Sequence, residues 1–240
     1  MTAPIPILMY HNLGTPPPGA RLRSLYVRPQ AFFRQMRLLR LLGYQGLSMD
    51  AAMPYLRGEK TGQVAVITFD DGYVDTFDHA LPALQQQNFS ATCYVVSDRI
   101  GQYNDWDAEA LGVRKPLMSL AQLQQWQAAG MEIGAHSRSH PHLPACNDAQ
   151  LQDEVAGSKA ELEARLSGPI TQFCYPYGDH DDRVVQAVRQ AGFAAATTTQ
   201  RGRVQADEDL MRLRRVLVGG HNWLHLFAIK LLTAYEDRRG

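Results

Sequence analysis

Short apolar runs alternate with segments of helical periodicity along the whole 240-residue chain. Uninterrupted apolar or β-branched runs predict seven strands, at residues 5–10, 64–69, 91–96, 131–134, 170–174, 193–198 and 213–218. This alternation predicts parallel strands joined by crossover helices, which an open doubly wound sheet or a (β/α) barrel satisfies. Because no glycine-rich phosphate-binding motif follows any strand, we expect an α/β fold with an irregular (β/α) barrel of seven or eight mainly parallel strands.

Helices are predicted between the strands from apolar stripes and from end signals. Pro29 opens the first helix, and Ser48 and Ser119 are suitable N-caps for two others. Residues 97–116 show no periodicity, so we expect a long loop over one face there, of the kind that forms lids or binding loops. The predicted helices span residues 29–42, 48–58, 74–87, 120–129, 148–166 and 183–191, with a last helix from Trp223.

The charged side chains balance, with 24 basic and 24 acidic residues and a formal net charge of zero. Chains that bind nucleic acid usually carry a basic excess or a basic stripe, so nucleic acid is not an expected partner. The same balance argues against electrostatic attachment to anionic lipid. An apolar fraction of 45% is that of a globular chain, and the length suits a single domain spanning residues 1–240.

The three cysteines, Cys93, Cys146 and Cys174, are widely spaced and form no C-x-x-C pair. This spacing excludes a zinc ribbon or thioredoxin-type motif and favours free thiols in a reducing compartment. The N-terminal residues lack the pattern of a secretory signal, and no stretch approaches the roughly 18 apolar residues of a membrane-spanning helix. We therefore expect a cytoplasmic protein without an integral membrane segment. Composition indicates no particular oligomeric state.

Polar and aromatic residues directly follow four of the predicted strands. The four segments are Tyr10-His11, Asp70-Asp71-Gly72, His136 to His140, and Tyr175-Pro176-Tyr177-Gly178. Parallel α/β folds bind ligands at the carboxyl ends of their strands. We therefore expect these four segments to meet at one catalytic edge of the barrel.

The Asp70-Asp71 pair and the histidines His136 and His140 are each ambiguous alone. Adjacent carboxylates repel one another unless a cation or a proton neutralises them, but Asp-Asp-Gly is also ordinary turn chemistry and Asp71 can cap the next helix. Two histidines four residues apart can equally be surface residues. Together the two motifs supply two imidazoles and a carboxylate, the ligand set that leaves a catalytic zinc open to water, and the second aspartate is then available as general base.

Three motifs resemble those of the polysaccharide deacetylase family, also called the NodB-homology or carbohydrate esterase 4 group. They occur in that family's order and span most of the chain: Thr68-Phe69-Asp70-Asp71-Gly72, His136-Ser137-Arg138-Ser139-His140-Pro141 and Tyr175-Pro176-Tyr177-Gly178. The resemblance implies a NodB-type irregular (β/α) barrel and a divalent metal cofactor, foremost Zn²⁺. It also implies hydrolytic removal of N-acetyl groups from amino sugars, with an N-acetylated carbohydrate as substrate.

Matched residue by residue, the resemblance assigns a role to each site residue. It implies that Asp70 is the general base and that Asp71, His136 and His140 are the metal ligands. The backbone N–H of Tyr177 is expected to help stabilise the tetrahedral oxyanion, a donor role worth about 3 kcal/mol in other enzymes.

The chain departs from the family pattern in two places. The third family motif usually begins with an arginine that pairs with the base, but Cys174 stands there, so Arg215 is a candidate replacement. A later Asp-Trp motif is missing, since Asp105-Trp106 comes too early in the chain. Two other interpretations therefore stay open: a metal-dependent amidase or imidase acting on a small amide, and a catalytically weak carbohydrate-binding relative.

The general acid has two candidates. The opening Leu8-Met9-Tyr10-His11 and the third motif resemble the poly-N-acetylglucosamine deacetylase branch, in which the histidine of the opening Tyr-His is thought to be the acid. His11 is preferred for this reason and because it follows a strand at the catalytic edge. His221 is the alternative, since the more usual family layout places the acid after a late strand.

Three aromatic residues near these motifs have both a binding and a packing interpretation. Tyr103 and Trp106 belong to the 97–116 loop, where they either stack on a sugar ring or anchor the loop. Tyr73 follows the Asp-Asp-Gly turn and either contacts substrate or packs in the core.

Overall fold

The computed structural model describes residues 4–221 and 223–239. Within them it contains ten strands, several of only two or three residues. The strands are β1 (Ile7–Tyr10), β2 (Asn12–Leu13), β3 (Tyr26–Val27), β4 (Gln45–Leu47), β5 (Val64–Phe69), β6 (Thr92–Val95), β7 (Glu132–Ala135), β8 (Gln172–Cys174), β9 (Ala195–Arg201) and β10 (Leu213–Leu217).

Helices connect most of the strands. They are α1 (Pro29–Leu41), α2 (Met49–Leu56), α3 (Val74–Gln87), α4 (Ala108–Leu111), α5 (Leu120–Ala128), α6 (Asp148–Gln152), α7 (Ser158–Arg165), α8 (Asp182–Gln190) and α9 (Leu224–Leu232). A π-helical turn, Asp153–Gly157, joins α6 to α7.

Seven parallel strands close into a barrel. Their order is β1-β10-β9-β8-β7-β6-β5, and β5 pairs back to β1 from Ile7↔Val66 to Tyr10↔Phe69. Strand β4 pairs with the first half of β5, and β2 and β3 form a separate two-stranded sheet. The predicted irregular (β/α) barrel of the NodB type is therefore confirmed.

The strands that the sequence predicts best are those buried on both faces. All six residues of β5 and all four of β1 are buried, which explains their uninterrupted apolar runs. Strand β5 has the predicted bounds, whereas β9 begins two residues later than predicted and extends three residues further, to Arg201. The short strands β2, β3 and β4 were not predicted, because two or three residues carry no periodicity.

The helix predictions differ from the structure mainly where the chain is locally irregular. Helix α3 has its predicted bounds, and Ser48 and Ser119 cap α2 and α5 as predicted. The helix predicted at residues 148–166 is instead α6, the π-helical turn and α7. The predicted 97–116 loop contains a 3₁₀ turn at Ser97–Arg99 and the one-turn helix α4.

An aromatic cluster joins the first helix to the barrel wall. The Tyr10 and Phe32 rings have centroids 5.1 Å apart, and the Phe69 ring lies 5.5 Å from Tyr10 and 6.1 Å from Trp126. These buried rings bring β1, β5, α1 and α5 together directly beneath the residues that follow β1 and β5. In the described residues, no helix combines the length and the apolarity required to cross a membrane.

Ser119 forms a capping box that fixes the start of α5. Its Oγ accepts from the Gln122 N–H at 3.3 Å, and Gln122 Oε1 accepts from the Ser119 N–H at 2.9 Å. Ser119→Ala is expected to lower the free energy of unfolding by about 1 kcal/mol, because a helix N–H loses its acceptor. Ser119→Asp keeps a capping oxygen and serves as the control. Urea unfolding followed by circular dichroism measures both, and an alanine variant as stable as the parent would contradict the capping role.

Candidate metal and catalytic site

One cavity of about 260 Å³ opens at the carboxyl ends of the barrel strands. Residues that follow β1, β5, β7 and β8 line it, as the positions of the motifs predict. All six residues predicted to act in catalysis or metal binding are among its walls: His11, Asp70, Asp71, His136, His140 and Tyr177.

Asp71, His136 and His140 each present one ligand atom to a common point. The two imidazole Nε2 atoms are 3.2 Å apart, and Asp71 Oδ1 lies 3.5 Å from the first and 3.6 Å from the second. A triangle with these sides contains a point about 2 Å from each corner, which matches the roughly 2.0–2.2 Å of zinc–nitrogen and zinc–oxygen bonds. The three side chains are also buried, so the donor set fits a divalent cation.

The surroundings of Asp71 and His140 favour the forms that bind metal. The Cys174 carbonyl lies 2.7 Å from His136 Nδ1 and accepts its proton, so Nε2 is the ring nitrogen that faces the cluster. Burial and then the neighbouring His136 lower the pKa of His140 to about 3, which keeps that ring neutral. Burial favours the acid form of Asp71, but the hydrogen bond to His136 and the charges of the histidines hold its pKa below the usual range.

The pKa of His136 is shifted in the opposite direction, toward the protonated form. Burial lowers its pKa, but the neighbouring Cys174 and Asp71 raise it overall to well above the usual histidine value. A cation at Nε2 must therefore displace a proton, and metal binding at this cluster should release that proton and weaken at low pH.

Four site residues adopt left-handed backbone conformations that non-glycine residues seldom occupy. Their φ angles are 74° at Asp71, 60° at Ser137, 69° at His140 and 59° at Tyr177. Such conformations cost about 1–3 kcal/mol each and persist only where surrounding contacts hold them. Ser137 supplies one such contact, since its Oγ accepts from the His140 N–H at 3.0 Å. Three of these four residues, Asp71, His140 and Tyr177, line the cavity.

Asp70 is paired with Arg215 rather than with the metal-ligand cluster. Arg215 Nη1 and Nη2 donate to Asp70 Oδ1 and Oδ2 at 2.7 and 2.8 Å, and both side chains are almost fully buried. Burial raises the pKa of Asp70, but the charge and hydrogen bonds of Arg215, together with the neighbouring His11 and His136, hold the pKa below the usual range. Nη2 also lies 3.3 Å from Cys174 Sγ, at the position where the family pattern has arginine. Arg215 therefore forms the pairing expected of the missing arginine.

The two candidates for the general acid have different locations. His11 Nε2 lies 3.6 Å from Asp70 Oδ2, with 18% of the His11 side chain exposed in the cavity. His221 is exposed and is not one of the described residues that line this cavity. The structure brings His11 to the cluster and leaves His221 outside it.

Aromatic side chains surround His140. The Tyr177 ring meets it edge-on with centroids 4.6 Å apart, and the Trp106 ring stacks on it at 4.9 Å. The Tyr177 hydroxyl donates to Asp107 Oδ1 at 3.1 Å, which ties the third motif to the 97–116 loop. Trp106 therefore packs against a ligand residue of the cluster.

Tyr103 and Tyr73 are placed differently. Tyr103 is 40% exposed and lies beneath the Arg114 guanidinium, 4.0 Å from Cζ to the ring centroid, and it is not among the cavity walls. Tyr73 is 1% exposed and borders the cavity, and its hydroxyl accepts from Asn104 at 3.3 Å. Burial raises the pKa of Tyr73 well above its usual value, so the phenol is neutral.

Two cavity walls were not predicted as parts of the site. Leu22 and Leu25 form one, and Asp107 and Leu111 in the 97–116 loop form the other. The two segments touch, since the Arg21 N–H donates to the Leu111 carbonyl at 2.8 Å. The absence of periodicity in residues 97–116 was the sequence signal for the wall formed by Asp107 and Leu111. Nothing in the sequence around Leu22 indicates that this residue lines a cavity.

Comparison with known proteins identifies the family. The family model described as polysaccharide deacetylase matches residues 57–196, which is more than half of the chain. This segment contains all three motifs and strands β5 to β8.

Individual relatives agree with this match. YxkH of Bacillus subtilis, named as a candidate polysaccharide deacetylase, is 28% identical over 218 residues, covering 90% of this chain and 72% of that protein. The poly-β-1,6-N-acetyl-D-glucosamine N-deacetylase of Staphylococcus epidermidis is 24% identical over 207 residues, covering 82% and 69%. The crystal structure of BC0361, a polysaccharide deacetylase from Bacillus cereus, is 26% identical and superimposes with a TM-score of 0.81, covering 95% of this chain and 69% of that one.

The closed barrel, the motif order and the family match all agree. The chain therefore belongs to the polysaccharide deacetylase family, and it is a hydrolase of the C–N bond in N-acetyl sugars.

Proposed function

We propose that this chain removes N-acetyl groups from a polymer or oligomer of N-acetylglucosamine with a divalent cation, foremost Zn²⁺. The observation that carries the proposal is that Asp70 borders the same cavity as the Asp71, His136 and His140 side chains. The triangle of Asp71, His136 and His140 can hold the cation, and the Asp70–Arg215 pair lies directly beside it.

In this proposal Asp71, His136 and His140 hold the cation. When bound, a divalent cation of this kind polarises the acetyl carbonyl and lowers the pKa of a water molecule toward neutrality. The two imidazoles and one carboxylate are the ligand combination of many catalytic zinc sites, and hence Zn²⁺ is the cation we propose.

Asp70 is the proposed general base. Its bidentate pairing with Arg215 keeps the carboxylate ionised and fixes its orientation, so it can accept a proton from the attacking water. The guanidinium also compensates the negative charge that burial would otherwise destabilise. A base held in this way loses little free energy to reorientation when substrate binds.

His11 is the proposed general acid. It shares the cavity with Asp70 but approaches Oδ2 from the open side, where part of its ring is exposed. As the C–N bond breaks, a proton from His11 passes to the leaving amine, and the water proton remains on Asp70. The products are then acetate and a free amino sugar.

The Tyr177 backbone N–H is the proposed oxyanion donor. Left-handed geometry at Tyr177 turns the peptide toward the cavity, and the hydrogen bond from its hydroxyl to Asp107 restrains the segment. A fixed donor at the developing oxyanion is worth about 3–4 kcal/mol of transition-state stabilisation.

Two observations support a glucosamine polymer as the substrate class. The Staphylococcus epidermidis relative is named as acting on poly-β-1,6-N-acetyl-D-glucosamine, and the opening Leu8-Met9-Tyr10-His11 resembles that branch. Acetate release from β-1,6-linked N-acetylglucosamine oligomers, compared with β-1,4-linked oligomers and small amides, tests the proposed substrate. Activity confined to small amides would contradict it.

Asp70→Asn is expected to reduce kcat by at least about a hundredfold, since general acid–base catalysis contributes on the order of 10²–10⁴-fold. The loss should occur while the cation stays bound, because Asp70 faces Arg215 and not the ligand triangle. Acetate release and metal content of the same preparation measure the two effects.

His136→Ala is the matched control, and it should lose the cation as well as activity. Full metal occupancy in this variant would refute the ligand assignment. Loss of metal in Asp70→Asn would instead refute the assignment of Asp70 as a base that does not help to bind the cation.

His11→Gln is expected to lower kcat while leaving metal content unchanged, because glutamine keeps a polar side chain but cannot donate a proton as a general acid. His221→Gln is the control and should retain parental activity, since His221 lies outside the cavity. Acetate release across a range of pH measures both variants. If His11→Gln kept parental activity, or if only His221→Gln lost activity, the assignment of His11 as the general acid would be wrong.

A further inference from the structure

The balanced charge of the whole chain conceals an uneven distribution. The first acidic residue is Asp50, and none occurs between Asp209 and Glu236. The stretch before Asp50 contains six basic residues and no acidic one. These residues are Arg21, Arg23, Arg28, Arg34, Arg37 and Arg40.

The main helices of the two acid-free stretches, α1 and α9, lie side by side on the outside of the barrel. Helices α1 and α9 pack against one another, and the Tyr44 hydroxyl at the end of α1 donates to the Leu231 carbonyl at 3.5 Å. Near the starts of the two helices, Arg28, Arg34, Trp223 and Leu224 line one groove. We call the outer surface of α1 and α9, together with this groove, the α1/α9 face.

The positive charge of this face is exposed and unneutralised. The four arginines of this face, Arg28, Arg34, Arg37 and Arg40, are exposed, and the ion pairs among the described residues involve none of them. Arg40 donates to the Gln87 carbonyl at 3.1 Å, and Arg37 lies over the Phe33 ring, contacts that leave the charges uncompensated. On the α3 side of α1 the neighbouring groove contains one carboxylate, Asp78.

The same face exposes large apolar side chains. Five of the seven large hydrophobic residues that the described structure leaves exposed lie at the ends of α1 or on α9. They are Leu41 at 77%, Trp223 at 75%, Leu232 at 52%, and Leu224 and Ile229 at 40%. Arginines interleaved with tryptophan and aliphatic residues are the composition of surfaces that lie in a membrane–water interface.

We propose that the α1/α9 face docks on the surface of an anionic lipid bilayer. The arginines supply attraction to phosphate head groups, and the apolar residues supply area that becomes buried among the acyl chains. A soluble polyanion would use the arginines alone and would leave the exposed tryptophan and leucines in water. A lipid surface accounts for both the exposed arginines and the exposed apolar side chains.

The docked orientation brings the catalytic cavity close to the lipid. The Gly220 N–H donates to the Ser24 carbonyl at 2.9 Å, which joins the start of the α9 segment to residues 22–25. Leu22, 56% exposed, belongs to that segment and lines the catalytic cavity. A bilayer against the α1/α9 face therefore lies beside the mouth of the cavity, where a carbohydrate attached to or emerging from the membrane would meet it.

Co-sedimentation with vesicles tests this docking. The full chain should bind vesicles of phosphatidylglycerol and phosphatidylcholine, should bind phosphatidylcholine vesicles far more weakly, and should dissociate as salt rises. Replacing Arg34, Arg37 and Arg40 together by glutamine should weaken binding on the order of a hundredfold. Trp223→Ala should weaken binding at high salt as well, because its contribution is apolar.

The matched control removes the same number of charges elsewhere. Arg165 and Arg183 are exposed and Arg212 is partly exposed, and each is paired with a carboxylate, so their triple glutamine variant should bind vesicles like the parent. Equal weakening in both triple variants would show a nonspecific effect of net charge and would overturn the proposal. Binding of a soluble polyphosphate but not of vesicles, or a dimer that buries Trp223, would overturn it too.

A second observation concerns the loop between the two histidine ligands. Glu154 lies in the π-helical turn, and its Oε2 accepts from the Arg138 and Ser139 N–H groups at 2.9 Å each. Its Oε1 accepts from the Ser139 hydroxyl at 2.5 Å. One carboxylate thus receives three hydrogen bonds from the residues between His136 and His140.

We infer that Glu154 is a positioning residue for the metal-ligand loop, an inference that rests on the proposed metal site. The loop contains two left-handed residues, Ser137 and His140, and needs external acceptors to hold its N–H groups. The π-helical turn places a side chain where a regular helix would not, and such turns often mark functional sites. Glu154 therefore fixes the 3.2 Å approach of the two Nε2 atoms from outside the cavity.

Glu154→Ala should weaken Zn²⁺ binding about 10–100-fold, the usual effect of losing an outer-shell partner. A chromophoric chelator measures the affinity, and the absorption spectrum of the Co²⁺-substituted protein reports ligand geometry. Glu154→Gln should recover part of the affinity because its carbonyl still accepts hydrogen bonds. Asp153→Asn is the control, since Asp153 contacts only the exposed Arg138 guanidinium of this loop.

Amide exchange of residues 136–140 in the metal-free protein separates this inference from the proposed function. Faster exchange in Glu154→Ala than in Asp153→Asn would support the positioning role of Glu154, whether or not the parent protein binds a cation. Absence of cation binding by the parent protein would contradict only the proposed metal site. Unchanged exchange and affinity in Glu154→Ala, or equal losses in both variants, would overturn the role of Glu154.

Discussion

The buried ion pair between Arg215 and Asp70 is the interaction on which the catalytic edge depends. Arg215 begins in β10, crosses the inside of the barrel and reaches the end of β5. On the way its Nε donates to the Thr198 carbonyl at 2.7 Å and its Nη1 to the Thr68 hydroxyl at 3.2 Å. A single fully buried cation thus binds acceptors in β9 and at the end of β5 and fixes where the carboxylate of Asp70 lies.

This pair also explains why the third motif tolerates a cysteine. A buried guanidinium is destabilising unless its donors are paired, and Arg215 already occupies both carboxylate oxygens of Asp70. Cys174 is buried, and its small side chain leaves room for Arg215, whose Nη2 approaches Sγ to 3.3 Å. The positive charge next to Asp70, the proposed base, therefore comes from a different strand, and the electrostatic environment of Asp70 is retained although the motif residue is not.

Sequence reasoning was accurate where one physical signal dominates. Strand β5 and helix α3 have their predicted bounds, because one is buried on both faces and the other follows a sharp Asp-Asp-Gly turn. The convergence of the motif residues on one cavity followed from the parallel order of the strands.

The features that were not predicted lack a local sequence pattern. Leu22 was missed because its position depends on a short loop, and the π-helical turn was missed because no local pattern distinguishes it from a regular helix. The positive charge of the α1/α9 face was not predicted because the net charge was counted over the whole chain. In that count, acidic residues elsewhere in the fold offset the arginines of this face.

The adjacent carboxylates Asp70 and Asp71 show how the backbone resolves the repulsion that their sequence predicts. Asp70 directly follows β5 and pairs with Arg215 inside the barrel. At Asp71 the left-handed φ of 74° turns the chain, and its carboxylate lies next to His136 and His140. Each anion thereby has its own cationic or proton-donating partners, and neither needs the other's. The following Gly72, also left-handed at 76°, lets the chain leave this turn and begin α3. The local strain thus assigns two chemically identical side chains to separate environments, one suited to accepting a proton and the other to holding a cation.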